Sequence, residues 1–181
     1  MTDTTLRRQW TSKPNKIIPD EALPINTTRH LIPIPSGSIK ILAIEPSVSQ
    51  QQRDHYLFFQ HGAFGHASMW LPSASFLSQE HNYSCYAISI RGHGASWVPE
   101  YFQMWIMSLR TAGGDSVAGI EWAKVEARKR SGEAEGGMVL VGHSIGGAIM
   151  RSILLRHLVK VDGLVLLTPI SGSGIYALFL N

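Results

Sequence analysis

Cysteine is nearly absent: Cys85 stands alone among 181 residues, so no disulfide can form within the chain and no thiolate cage for a metal can be built. Charge is sparse too, at 16%, with 16 Lys and Arg set against 13 Asp and Glu. The excess of +3 is dispersed: Arg7, Arg8, Lys13 and Lys16 are spread along a polar leader, while Arg128, Lys129 and Arg130 close a predicted helix and complement the negative end of its dipole. No run has the density of a nucleic-acid-binding patch, and no nucleic-acid partner is expected. No stretch approaches ~18 consecutive apolar residues, so no membrane span is expected. The opening MTDTTLRRQWTSKPNK lacks the apolar segment of a secretory signal, which makes a cytoplasmic setting the expectation. No His, Cys and carboxylate cluster has metal-ligand spacing, and GHSIGG lacks the first Gly-x-Gly turn of a dinucleotide site, so no cofactor or metal is expected.

What is there suits one globular domain, with 44% hydrophobic residues. Residues 1–28 carry Pro14, Pro19 and Pro24 among polar neighbours and read as an extended arm, with one folded unit over 29–181. RHLIPIPSGSIKILAIEP has short alternating segments on either side of PSGS, the pattern of a hairpin. HYLFFQHG and SCYAISIRGHG are strands that end in glycine, a fifth strand begins at Met138, and VDGLVLLTPI is a sixth. ASMWLPSASFLSQE reads as a helix begun or interrupted at Pro72. Asp115 reads as the N-cap of a helix over SVAGIEWAKVEARKR, whose apolar face is Val117, Ile120 and Val125. The stretch WVPEYFQMWIMSLRTAGG, 97–114, has no clean period. Trp70, Trp97, Tyr101, Phe102 and Trp105 are expected mostly in the core, with an apolar pocket as the other destination. Cys85, in a strand, is expected to be a buried, inert thiol. Alternating strands and helices from the third strand onward give the fold class: α/β, with a mostly parallel central sheet flanked by helices. Ligands bind such sheets beyond the carboxyl ends of the strands.

One stretch carries the chemistry. In MVLVGHSIGGAIM, 138–150, an apolar strand gives way at Ser144 to a helix on which Ile149, Ile153, Leu154 and Leu158 recur at helical spacing. Gly142-His143-Ser144-Ile145-Gly146 is a G-x-S-x-G elbow, which holds its serine in a strained conformation costing ~1–3 kcal/mol and needs small flanking residues for strand and helix to approach. Ser144 is the candidate nucleophile, standing at a helix N-terminus where free N–H groups favour developing negative charge. HGAFG, 61–65, ends the third strand at the same sheet edge. Backbone N–H groups of Ala63 and Ile145 are the candidate oxyanion donors, Phe64 is the alternative to Ala63, and His61, Gly62, Gly142, His143 and Gly146 stand around them.

HGAFG, SIRGHGAS, VGHSIGG and LVLLTP, in that order, resemble the α/β-hydrolase superfamily, especially its single-domain serine esterase-like members, from about Arg29 to Ile170. The resemblance implies a serine hydrolase acting on a small-molecule ester or similar carbonyl compound. Two departures bear on that implication. Ser89 stands where the family often carries an acidic residue. Family members also continue past the sixth strand into a lid and strands that supply the triad acid and histidine, in the order Ser, Asp or Glu, His. Here SGSGIYALFLN follows the sixth strand, so the expectation is a fold truncated there, with an incomplete triad and an open strand edge through which copies can self-associate.

The remaining histidines are sorted by sheet edge. His30, His55, His81 and His157, with Asp162, fall at the wrong edge; His61, His66, His93 and His143 fall at the right one. His61 and His93 match positions where the family uses histidine structurally, and an elbow turns His143 away from the nucleophile as a packed side chain. His66 is the only free candidate base, with no carboxylate evident to orient it. Two readings follow: a serine hydrolase impaired without its acid and base, or a non-catalytic, ligand-binding descendant of one.

Overall fold

The computed structural model describes residues 23–47, 55–105, 107–131 and 136–170. The arm expected over 1–28 lies outside the described residues up to position 22, as do the final residues 171–181. Thr27, within the span read as the arm, opens a strand.

The hairpin forms as its alternation requires: β1 (Thr27–Ile34) and β2 (Gly37–Ile44) pair antiparallel across a two-residue turn. β3 (His55–Gln60), β4 (Ser84–Ser89), β5 (Gly137–His143) and β6 (Gly163–Leu167) follow, giving the order β1-β2-β4-β3-β5-β6. β2 meets β4 antiparallel, and the pairs β4/β3, β3/β5 and β5/β6 are parallel. All six residues of β4 are buried, the burial expected of a strand with neighbours on both sides and helices on both faces.

Period-two alternation sends neighbouring side chains to opposite layers. Ile41, Phe58, Tyr86 and Leu140 join Ile120, Ala123, Ile149 and Ile153, the inward residues of α3 (Leu109–Ser131) and α4 (Ile145–Leu155). Leu42, Phe59, Ala87 and Val141 face the other way, onto the 3₁₀ turn Ala67–Trp70 and α1 (Leu71–His81). Pro72 sits in the first turn of α1, where its missing N–H leaves no helical bond unmade. Cys85 is fully buried in the second layer, and burial pushes its thiol pKa up. Among the described residues no helix is long and apolar enough to cross a membrane.

Three expectations are corrected here. Asp115 is not an N-cap: α3 begins at Leu109, and the Ser108 Oγ accepts the Thr111 N–H at 3.1 Å as the cap instead. Asp115 lies inside the helix, 1% exposed, where its carboxylate takes the Arg91 guanidinium at 2.6 and 2.8 Å and the Arg91 backbone N–H at 3.0 Å. A tertiary ion pair with three charge-assisted bonds outweighs a local capping preference. The aromatic stretch also divides: Trp97 packs beneath Gly37 and beside the Arg91 guanidinium, but Tyr101 and Phe102, on the short helix α2 (Tyr101–Trp105), are 57% and 80% exposed rather than in the core. The third correction, at His143, belongs to the site.

Candidate functional site

Ser144 sits between β5 and α4 with φ 54° and ψ −122°, a conformation that L-residues rarely adopt. Its backbone is tied on both sides. The Ser144 N–H donates to the Leu167 carbonyl at 3.0 Å, and its carbonyl accepts from Gly147 at 3.0 Å and Ile170 at 3.2 Å. The end of β6 therefore holds the bend that the end of β5 makes. Gly146 admits the helix: a Cβ there would lie 2.5 Å from the His61 carbonyl and 2.8 Å from that of Gln60.

The segment after β3 closes against this bend. A Cβ on Gly62 would meet the Ser144 Cβ at 3.1 Å and the His143 Nδ1 at 3.0 Å, so the loop 61–65 approaches the serine too closely for a side chain at position 62. The loop is a turn closed by the Gly65 N–H on the Gly62 carbonyl at 3.1 Å. That same carbonyl takes the His61 Nδ1–H at 2.6 Å, while the Ile90 N–H donates to His61 Nε2 at 3.3 Å. These partners fix the tautomer: Nδ1 donates and Nε2 accepts, so the ring is neutral. Burial drives its pKa down to about 4, against the Gly62 carbonyl, which favours a proton. His61 is a structural histidine with no free nitrogen for catalysis.

Neither the Ala63 nor the Phe64 N–H has a partner among the described residues, and both residues are exposed, Phe64 fully. The Ile145 N–H, first in α4, has no carbonyl within the helix to bond. The Ser144 Oγ, half-buried, makes no hydrogen bond among the described residues.

His143 departs from expectation. Its side chain is exposed and lines a cavity of about 220 Å³ with His61, Gly62, Met69, Trp70 and Leu167. The reason is register: position 143 shares the strand face of Val141, the face covered by the 3₁₀ turn, and the cavity opens where that cover ends. Trp70, stacked on Phe59 at 5.0 Å, supplies one wall; of the aromatics named from the sequence it is the one that lines this cavity. Met69 and Leu167 carried no sequence signal, because their place in the wall depends on how the 3₁₀ turn and β6 pack.

The other histidines separate as the sheet edge dictates. His66 precedes the 3₁₀ turn and packs near Gly94, with no hydrogen bond to Ser144. His93 bonds the loop after β3, through the Ala63 carbonyl at 2.7 Å. Asp162 accepts the Met138 N–H at 2.7 Å at the opposite end of β5, near His55. Among the described residues no group of His, Cys, Asp and Glu could hold a metal ion.

A family model described as Alpha/beta hydrolase family matches residues 57–180. No curated protein matches the sequence. Among solved structures, the chain is similar to a soluble variant of monoglyceride lipase from Saccharomyces cerevisiae, with a TM-score of 0.67 and 15% identity over 84% of this chain and 48% of that one. It is also similar to a siderophore hydrolase from Aspergillus fumigatus, with a TM-score of 0.60 and 18% identity over 84% of this chain and 44% of that one. An alpha-beta serine hydrolase homologue from Coxiella burnetii aligns with a TM-score of 0.61 and 17% identity, over 78% of this chain and 62% of that one. At such identities the likeness is one of fold, and this chain spans about half the length of the proteins it matches.

Proposed function

Since the chain belongs to the alpha/beta hydrolase family, we propose that it carries the nucleophile half of a serine hydrolase acting on a small ester or similar carbonyl compound. Ser144 is the nucleophile, and the N–H groups of Ala63 or Phe64 and of Ile145 receive the oxyanion. The observation that carries this reading is the close approach of Gly62 to the Ser144 side chain, tight enough that a Cβ on Gly62 would lie 3.1 Å from the Ser144 Cβ, which sets a turn with two N–H groups unpaired among the described residues beside a hydroxyl at a helix N-terminus. The acid and base are supplied from outside the described residues. His66 drops out as base, since nothing connects it to Ser144. The cavity of about 220 Å³ is smaller than the ~300–1,000 Å³ of drug-sized ligand sites and suits a short acyl group.

The test is covalent labelling of the chain with a serine-directed phosphonate. The expected result is a labelled band that disappears in Ser144→Ala; equal labelling of both proteins overturns the assignment.

A second reading, a ligand-binding and catalytically silent relative, is favoured by the Ser144 Oγ, which has no hydrogen-bond partner among the described residues. Without a base, oxyanion donors and binding alone leave a ~10³–10⁴-fold acceleration over water, well short of a working enzyme. This reading expects a carbonyl compound to bind with equal affinity to the parent and to Ser144→Ala, with equal, negligible turnover.

A further inference from the structure

His93 joins the loop after β4 to the loop after β3, and both of its ring nitrogens face carbonyl oxygens. Nδ1 is 2.9 Å from the Arg91 carbonyl and Nε2 is 2.7 Å from the Ala63 carbonyl. A carbonyl only accepts, so each bond needs an N–H, and only the imidazolium has two. In the neutral ring, one nitrogen lone pair is left against a carbonyl lone pair at hydrogen-bond distance. His61 next to it is the opposite case, with one donor and one acceptor matched to one acceptor and one donor.

The peptide unit that His93 grips is the one whose N–H belongs to Phe64. A trans peptide is planar, and its C=O and N–H point in opposite directions. Anchoring the Ala63 oxygen on His93 therefore aims the Phe64 N–H away from His93. The preceding unit is set in the same way: the Gly62 oxygen, held by His61 and by the Gly65 N–H, aims the Ala63 N–H. Two histidines with ring centroids 4.8 Å apart thus orient the two candidate oxyanion amides, one each.

We propose that His93 is a positioning residue for the oxyanion loop: its imidazolium form holds the Ala63 and Arg91 carbonyls together and points the Phe64 amide to the Ser144 side, and its neutral form can hold only one of the two. The inference rests on the oxyanion role given to this loop above. The support behind His93 is rigid, because the Arg91 N–H and guanidinium are clamped by Asp115 of α3. The titratable and charged groups around it are His61, stacked on it from the end of β3; His66, across Gly94; and Arg91, paired with Asp115. Of these, His61 is neutral and the Arg91 charge is balanced by Asp115.

The experiment is an NMR titration of the full chain, with ¹⁵N labels in the histidine rings and backbone. The expected result is a Phe64 amide resonance that moves with the His93 ring midpoint. His93→Gln keeps a donor for the Ala63 carbonyl, and His93→Asn keeps one for the Arg91 carbonyl. The Phe64 resonance is expected near the parent's acid limit in the Gln variant and displaced from it in the Asn variant, without titrating in either. A Phe64 resonance that stays still while His93 of the parent titrates, or that titrates alike in both variants, overturns the proposal. Phosphonate labelling of Ser144 is expected to slow at least 10-fold in the Asn variant and stay within about 2-fold of the parent in the Gln variant. A parent that takes no label defeats the nucleophile reading and leaves the Phe64 result to judge His93 on its own.

Discussion

Ser144 carries backbone strain at the centre of the site, and that strain is measurable. Glycine accepts φ 54° and ψ −122° without a steric penalty, whereas alanine suffers as serine does. Ser144→Gly is therefore expected to be more stable than Ser144→Ala by about 1–2 kcal/mol in urea unfolding. Equal midpoints would show that the bend carries no strain. A second residue-scale effect concerns pH. His61 titrates at about 4 when folded against 6.5 in an open chain, so between these values the unfolded state binds more protons. Its contribution is present above pH 6.5 and lost as pH falls toward 4, by on the order of 3 kcal/mol in all. Glu45 acts in the opposite sense: buried among Ser84, Tyr86 and Arg130, its carboxyl pKa is raised, so its contribution is present below 4.5 and lost as pH rises through its folded value. Stability measured between pH 4 and 7 is expected to fall on acidification less steeply in His61→Asn than in the parent. The elbow serine and HGAFG were legible as a motif, yet the neutral state of His61 was not, since it follows from the Ile90 N–H, which reaches it from the residue just after β4.

At the scale of elements, α3 is the instructive case. Its N-terminal turns contain Gly113 and Gly114, which weaken a helix reading from sequence by about 1 kcal/mol each relative to Ala. Packing against the sheet and α4 extends the helix through them. A glycine further along shows what such packing needs: a Cβ at Gly119 would approach Ile88 to 2.8 Å and Phe58 to 3.1 Å. Asp115, embedded in this helix, is the anchor of the loop after β4. Asp115→Ala leaves a mostly buried Arg91 guanidinium without its partner, and a loss of about 3 kcal/mol in urea unfolding is expected. The hairpin β1–β2 and helix α1 were legible because alternation and an early proline are local signals. The start of α3 was not, because its reward is contact with distant strands.

For the whole molecule, β6 pairs with β5 alone among the described residues, and its Val165 and Leu167 are 43% and 41% exposed. A strand edge that is open among the described residues can serve as a template for another chain, and association of copies through β6 is a testable expectation. Sedimentation is expected to show concentration-dependent association of the parent and mainly monomer for Val165→Lys; a parent that stays monomeric removes the idea. The sequence by itself determined the α/β class, the strand order along the chain and the position of the bend at Ser144, because alternation, helical spacing and glycine placement act over a few residues. Only the tertiary structure decided that His143 faces the cavity, that Asp115 clamps Arg91, and that His61 and His93 each hold one peptide of the loop beside the serine. Those outcomes depend on hydrogen bonds and ion pairs between segments far apart in the chain, and such partners are assigned by packing, which no local pattern encodes.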